Sequence, residues 1–108
     1  MRIVKSLVNI LKAEDITYEY KYRLTETLFK KSAMYGIEIE RVDYIKEEIV
    51  NIERESIDKV SKDITKVEKL HSLVFDNLVS PIHLIDVIGE YVDKYVEEMK
   101  EERAIAYN

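Results

Sequence analysis

The sequence predicts a mainly α fold: a small helical bundle built on a long C-terminal antiparallel helical hairpin. Three observations carry this expectation. Gly36, Gly89 and Pro81 are the only glycines and proline in 108 residues, so little interrupts long helices. Apolar residues recur at three- and four-residue spacing along most of the chain. Ser80-Pro81 supplies an N-cap and first-turn pair at a natural place for the chain to reverse.

Taken in order, Ile3, Val4, Leu7, Val8 and Leu11 predict a short amphipathic helix over residues 2–12, packed as a lid. Residues 16–24 satisfy two periods. Ile16, Tyr18, Tyr20, Tyr22 and Leu24 alternate with Thr17, Glu19, Lys21 and Arg23 as a strand would. The positions Ile16, Tyr20, Leu24 and Leu28 also lie on one helix face and run without a breaker into residues 25–35, so helix is preferred. The strand is the alternative, which would make the class α+β with a short strand at 16–24 and a small sheet involving Ile37 to Ile39.

Gly36 suits a helix C-cap, with Lys30 and Lys31 near the negative end of the dipole. From residue 43 to residue 79 no glycine or proline intervenes. Ile45, Ile49 and Ile52 mark one stripe there, and Ile57, Val60, Ile64, Val67, Val74 and Leu78 a second, out of phase by a five-residue step. A last helix, 82–104, turns Ile85, Ile88, Val92, Tyr95 and Met99 inward. Folded back from Ser80, it is too short at ~1.5 Å per residue to cover the stripe at Ile45, Ile49 and Ile52. A single domain is expected, residues 1–42 packing on a hairpin of residues 43–104, and the uncovered stripe points to a homo-oligomer, a dimer through that segment.

Composition narrows the chemistry. With 36% charged and 46% hydrophobic residues the chain is too apolar for disorder and too charged for a membrane protein. The longest uncharged stretch, Asn77 to Ile85, is far short of the ~20 apolar residues of a spanning helix. No targeting signal is visible, and a cytoplasmic setting is expected. The chain has no cysteine, which removes disulfides, thiolate zinc sites and cysteine nucleophiles. Charge is split: residues 1–35 hold seven basic and four acidic side chains, residues 36–108 ten and eighteen. Such polarity suits a protein that meets partners of opposite charge on different faces.

Residues 28–46 are the best motif candidate. Ser32, Gly36, Val42 and Ile45 have the spacing of a helix-turn-helix corner. In that arrangement Arg41, Tyr44 and Lys46 would reach outward and Arg23, Lys30 and Lys31 would meet phosphates. Glu38, Glu40, Asp43, Glu47 and Glu48 carry the wrong sign for that role, so nucleic acid is not favoured. Tyr18, Tyr20 and Tyr22, interleaved with Lys21 and Arg23, could stack on single strands, but core or interface positions are the simpler reading.

Glu68 with His71, and His83 with Asp86, have the i, i+3 spacing of carboxylate-bridged metal bundles, but a second Glu-x-x-His is missing. Glu47, Glu48 and Glu53 are the nearest approach to a magnesium-holding carboxylate set. Ser72 and Asp76 beside His71 cannot form a nucleophile, base and orienter chain on one helix. No cofactor is expected. Glu97, Glu98, Glu101 and Glu102 crowd the end of the last helix and form a candidate docking patch for a protein partner with a basic surface. The expectation is therefore a non-catalytic interaction or assembly module that self-associates through a helix at residues 43–79. A helix-turn-helix DNA-binding regulator using residues 28–46 is the alternative.

Overall fold

The computed structural model describes the backbone of residues 1–107 and the side chains of residues 1–100. It replaces the expected helical bundle with an α+β fold. Four long strands, β1 (Arg2–Ala13), β2 (Ile16–Phe29), β3 (Ser32–Ile45) and β4 (Glu48–Ser61), precede a helix α1 (Ile64–Asp76), a 3-10 turn (Pro81–His83) and a helix α2 (Leu84–Tyr107). The strands form one antiparallel meander in the order β1-β2-β3-β4.

The period-two reading of residues 16–24 is the one the structure adopts, and it extends over the whole of β2. Cross-strand pairs Tyr22 with Ile39 and Leu24 with Ile37 put the even residues of β2 and the odd residues of β3 on one face. Tyr20, Tyr22, Leu24, Ile37 and Ile39 are buried there with Val60 of β4, against Val67, Leu70 and Val74 of α1 and Leu84 and Ile88 of α2. Sheet and helices thus share a single apolar layer. Its polar anchor is Tyr22, whose hydroxyl donates to the Val79 carbonyl at 3.0 Å while its own carbonyl lies 2.7 Å from His71 Nε2. The Tyr22 ring stacks on Tyr20 and meets Phe75 edge-on, with centroids 6.2 and 5.7 Å away.

The expected helix over residues 43–79 does not exist, because a tight reversal and a helix cap break it. Lys46 and Glu47 turn the chain with φ of 50° and 68°, and Lys30 and Lys31 do the same between β2 and β3 with 50° and 65°. Two-residue hairpin loops with positive φ at both positions match the right-handed twist of the strands they join. These loops carry none of the usual asparagine or glycine, which is why the sequence looked unbroken.

The phase change in the isoleucine stripe has the same origin. Ile45 and Ile49 belong to different strands, and the five-residue step from Ile52 to Ile57 takes the chain from one face of β4 to the other. Asp63 then caps α1, accepting from the Thr65 amide at 2.9 Å. At its other end Val79 N donates to Val74 O and Leu78 N to Phe75 O, with Leu78 at φ 50°. That is a Schellman closure with leucine in the position glycine usually takes.

The expected N-terminal helix is strand β1. Gly36 caps no helix: it lies within β3 at a register shift, where an added Cβ would stand 2.3 Å from the Ile57 carbonyl oxygen and 2.5 Å from that of Asp58. The segment read as the last helix is helical from Leu84, entered through the 3-10 turn at Pro81.

Candidate interaction surface

All of the helical structure packs on one face of the sheet, and the core thins out beyond Tyr20 and Ile39. Tyr18, Ile16 and Ile45, further toward the β1–β2 and β3–β4 turns, are only half-buried. The opposite face carries the odd residues of β2 and the even residues of β3. At its centre is a cross-strand ion lattice. Arg23 Nη1 lies 2.5 Å from Glu38 Oε1, Arg23 Nη2 3.3 Å from Glu40 Oε1, and Lys21 Nζ 3.8 Å from Glu40 Oε1. Arg54 closes on the same carboxylate from β4, its Nε 2.9 Å away.

Burial alone would raise the Glu40 carboxyl. The Arg54 hydrogen bond and the charges of Arg23, Arg54 and Lys21 outweigh that and hold it below the usual carboxylate range. Apolar residues flank the lattice. Val8 and Ile10 on β1, 48% and 58% exposed, lie on one side, and Ile49 and Ile52 on β4, 56% and 54% exposed, on the other.

The two sheet edges differ. β4 presents Glu48, Glu53, Arg54, Glu55, Asp58 and Lys59, and its pairing with β3 is interrupted by two register shifts. Charges and irregular register are the usual guards of an edge strand. β1 is guarded only at its ends, by Arg2, Lys5 and Lys12, and Ser6 to Leu11 between them carry neither charge nor broken register. Of its twelve residues only Leu7 and Asn9 are half-buried, its register shifts only between Ile3 and Lys5, and Val8, Ile10 and Leu11 are exposed.

The residues singled out from the sequence are dispersed by this fold. Ile49 and Ile52 do share the helix-free face, near Val42 and Tyr44, but Ile45 pairs with Glu48 and points to the opposite side. The three residues expected to form an interface on one helix therefore lie on two strands, and only Ile49 and Ile52 share a face.

The helix-turn-helix reading fails outright, since residues 28–46 run through the β2–β3 turn and along β3. Lys30 and Lys31 lie at one end of β3 and Lys46 at the other, fourteen strand residues apart. Arg23 is held by Glu38 and Glu40. Arg41 lies on the helix side with Asp43 at 2.9 Å and Glu53 at 3.3 Å, and Tyr44 faces Ile49. These six residues form no common phosphate-binding surface. Tyr18, Tyr20 and Tyr22 face the helices and stack on no open platform.

The histidine pairs separate as well. His71 is fully buried against Tyr22, whereas His83 is exposed and 3.9 Å from Asp86. Among the described residues no group of three or more His, Asp or Glu side chains is placed to hold a metal ion. Glu47 and Glu48 sit at a turn and Glu53 meets Arg41, so that carboxylate set is not assembled.

Ser80, His83, Leu73, Leu78, Val79 and Val87 border an open groove of about 480 Å³ between α1 and α2. The His83 amide donates to the Ser80 carbonyl at 3.0 Å, but no hydrogen bond joins the two side chains, which leaves no nucleophile–base pair there among the described residues. In the acidic patch Glu98 is engaged by Lys66 at 2.6 Å and Glu97 by Lys100 at 3.7 Å. The side chains of Glu101 and Glu102 lie outside the described residues. No helix among the described residues is long and apolar enough to cross a membrane.

A four-stranded meander with helices on one side, one guarded edge and one open edge defines a two-layer α+β domain that presents strand surface to its surroundings. The chain belongs to DUF6514, a family of unknown function whose model matches residues 1–94. No curated protein and no solved structure matches it.

Proposed function

We propose that the chain is a non-catalytic protein-interaction module that associates with copies of itself through its sheet. The observation that carries this reading is β1. It is a twelve-residue outer strand, nearly all exposed, with apolar side chains on both faces and free main-chain groups along its outer edge. Unpaired strand edges of this kind add a further strand, main-chain hydrogen bonds supplying affinity and alternate side chains selectivity. The helix-free face supports the same reading, because its ion lattice is satisfied internally and leaves Val8, Ile10, Ile49 and Ile52 uncovered. A cytoplasmic setting, expected from the sequence, belongs to this proposal.

The test is the mass of the purified chain by light scattering across a concentration series. Self-association appears as a rise from monomer toward dimer mass in the micromolar range. A monomer up to about 100 μM, where only interactions weaker than about −5.5 kcal/mol would escape notice, removes the reading.

A further inference from the structure

We infer that β1 pairs antiparallel with β1 of a second copy about a two-fold axis through Asn9, joining two four-stranded sheets into one of eight strands. This rests on the self-association proposed above and specifies its edge, its register and its symmetry.

The choice of edge follows from the contrast already drawn: charge and broken register run along β4, whereas Ser6 to Leu11 of β1 carry neither. The register follows from three demands. Facing residues of an antiparallel pair share a face, so a continuous sheet with all helices on one side requires odd residues to face odd and even to face even. The paired stretch must also avoid the irregularity between Ile3 and Lys5. Finally, like charges must not face one another, and large apolar residues must face apolar ones.

Centring on Asn9 meets all three. Lys5 then faces Ala13 of the second copy, Ser6 faces Lys12, Leu7 faces Leu11, Val8 faces Ile10, and Asn9 faces its own copy. Centring on Leu7 instead carries the paired stretch into the irregular segment, and centring on Val8 sets Leu11 against Lys5 and Ile10 against Ser6.

Apolar residues meet on both faces in the Asn9 register. Leu7 and Leu11 of the two copies form a cluster on the helix side, and Val8 and Ile10 one on the open side. Charge is complementary as well. Lys5 comes beside the second copy's β1–β2 turn, where Glu14 and Asp15 follow Ala13 directly. The two-fold axis repeats this contact. Pairing β1 with β4 of another copy would also match opposite charges, but it is a head-to-tail contact that grows open chains; the two-fold pairing closes at two.

Because Val8 faces Ile10 twice in this register, a charge swap reads it directly. Both positions are exposed, so the monomer fold does not depend on them. Val8→Lys with Ile10→Lys sets ammonium against ammonium and lowers the net negative charge, so a weaker dimer cannot be blamed on overall repulsion. Val8→Glu with Ile10→Lys sets carboxylate against ammonium, and each new charge also faces an opposite one within its own chain, Lys21 and Glu19 respectively.

Dimer dissociation constants from light scattering should rise at least about tenfold for the first variant. The second should bind more tightly than the first. If the native chain dimerises and both variants dimerise as well as it does, this edge is not the interface, and the inference falls while self-association stands. Equal weakening of both variants overturns the register. Growth past the dimer with concentration overturns the two-fold in favour of open chains, and a native chain that stays monomeric removes this inference and the reading beneath it together.

Discussion

At the scale of single residues the structure turns on a few positions where a side chain's size or charge state is constrained from all sides. Gly36 is one. A methyl group there would overlap the β4 backbone, which cannot give way as a flexible side chain could. Gly36→Ala should therefore cost on the order of 2 kcal/mol in denaturant unfolding, as overpacking does.

His71 is another. It donates through Nε2 to the Tyr22 carbonyl, while Nδ1 is buried without a partner. Burial pushes its pKa below the ordinary 6.5, with Lys5 adding to the depression, and the Tyr22 carbonyl and Glu68 oppose it only in part. The unfolded chain binds that proton more readily than the folded one. The stability His71 contributes is accordingly complete above about pH 6.5 and falls as pH drops through the folded value. Urea midpoints measured between pH 7.5 and 5 should decline in the native chain, and the decline should flatten in His71→Gln. Glu40, whose carboxyl is held low, adds a second loss as pH falls below about 4.5.

At the scale of elements the hairpin loops are the least expected feature. Lys30, Lys31, Lys46 and Glu47 each adopt the left-handed backbone region that lysine and glutamate disfavour. Holding a side-chain-bearing residue there costs about 1 kcal/mol, and the long paired strands on either side absorb it. Replacing Lys30-Lys31 by Asn-Gly should then stabilise the fold by roughly 1–2 kcal/mol without altering the strands. The check is a shift in denaturant midpoint with an unchanged m-value.

The connection from β2 to α1 and the 3-10 turn offers the converse test. Tyr22→Phe leaves the buried Val79 carbonyl without its donor and should cost about 1–2 kcal/mol in the same experiment.

For the whole molecule, a helix layer on one side leaves the other face of the sheet uncovered, and the proposed association bears on its stability. The domain is long, 61 × 24 × 18 Å. If two copies join through β1, stability is coupled to concentration by mass action. The apparent Tm of the native chain should rise over a hundredfold concentration range, while that of the Val8→Lys, Ile10→Lys variant should not move. A concentration-independent Tm in both would leave the sheet to stand alone.

Several properties were legible without the fold. Absent cysteine, the short uncharged stretches and the uneven charge follow from composition, and the alternation of Ile16 to Leu24 against Thr17 to Arg23 was a true strand signal. The helical periods elsewhere misled for a definite reason. β1 is an edge strand bearing apolar residues on both faces, so Leu7, Val8 and Leu11 mimic a helix stripe. In β3 and β4 a turn and register shifts scramble the alternation that would have revealed them.

The stop signals were also hidden, since lysine, glutamate and leucine occupy backbone positions where glycine or asparagine ordinarily announces a turn. Which apolar residues are covered was decided only by tertiary structure. Whether Ile52 lies in a core or in the open depends on which side of the sheet α1 and α2 pack, and that choice is made by Tyr22, Ile39 and Val60 meeting Val67 and Leu84 across long stretches of chain. Short-range spacing carries no record of contacts formed at such separation.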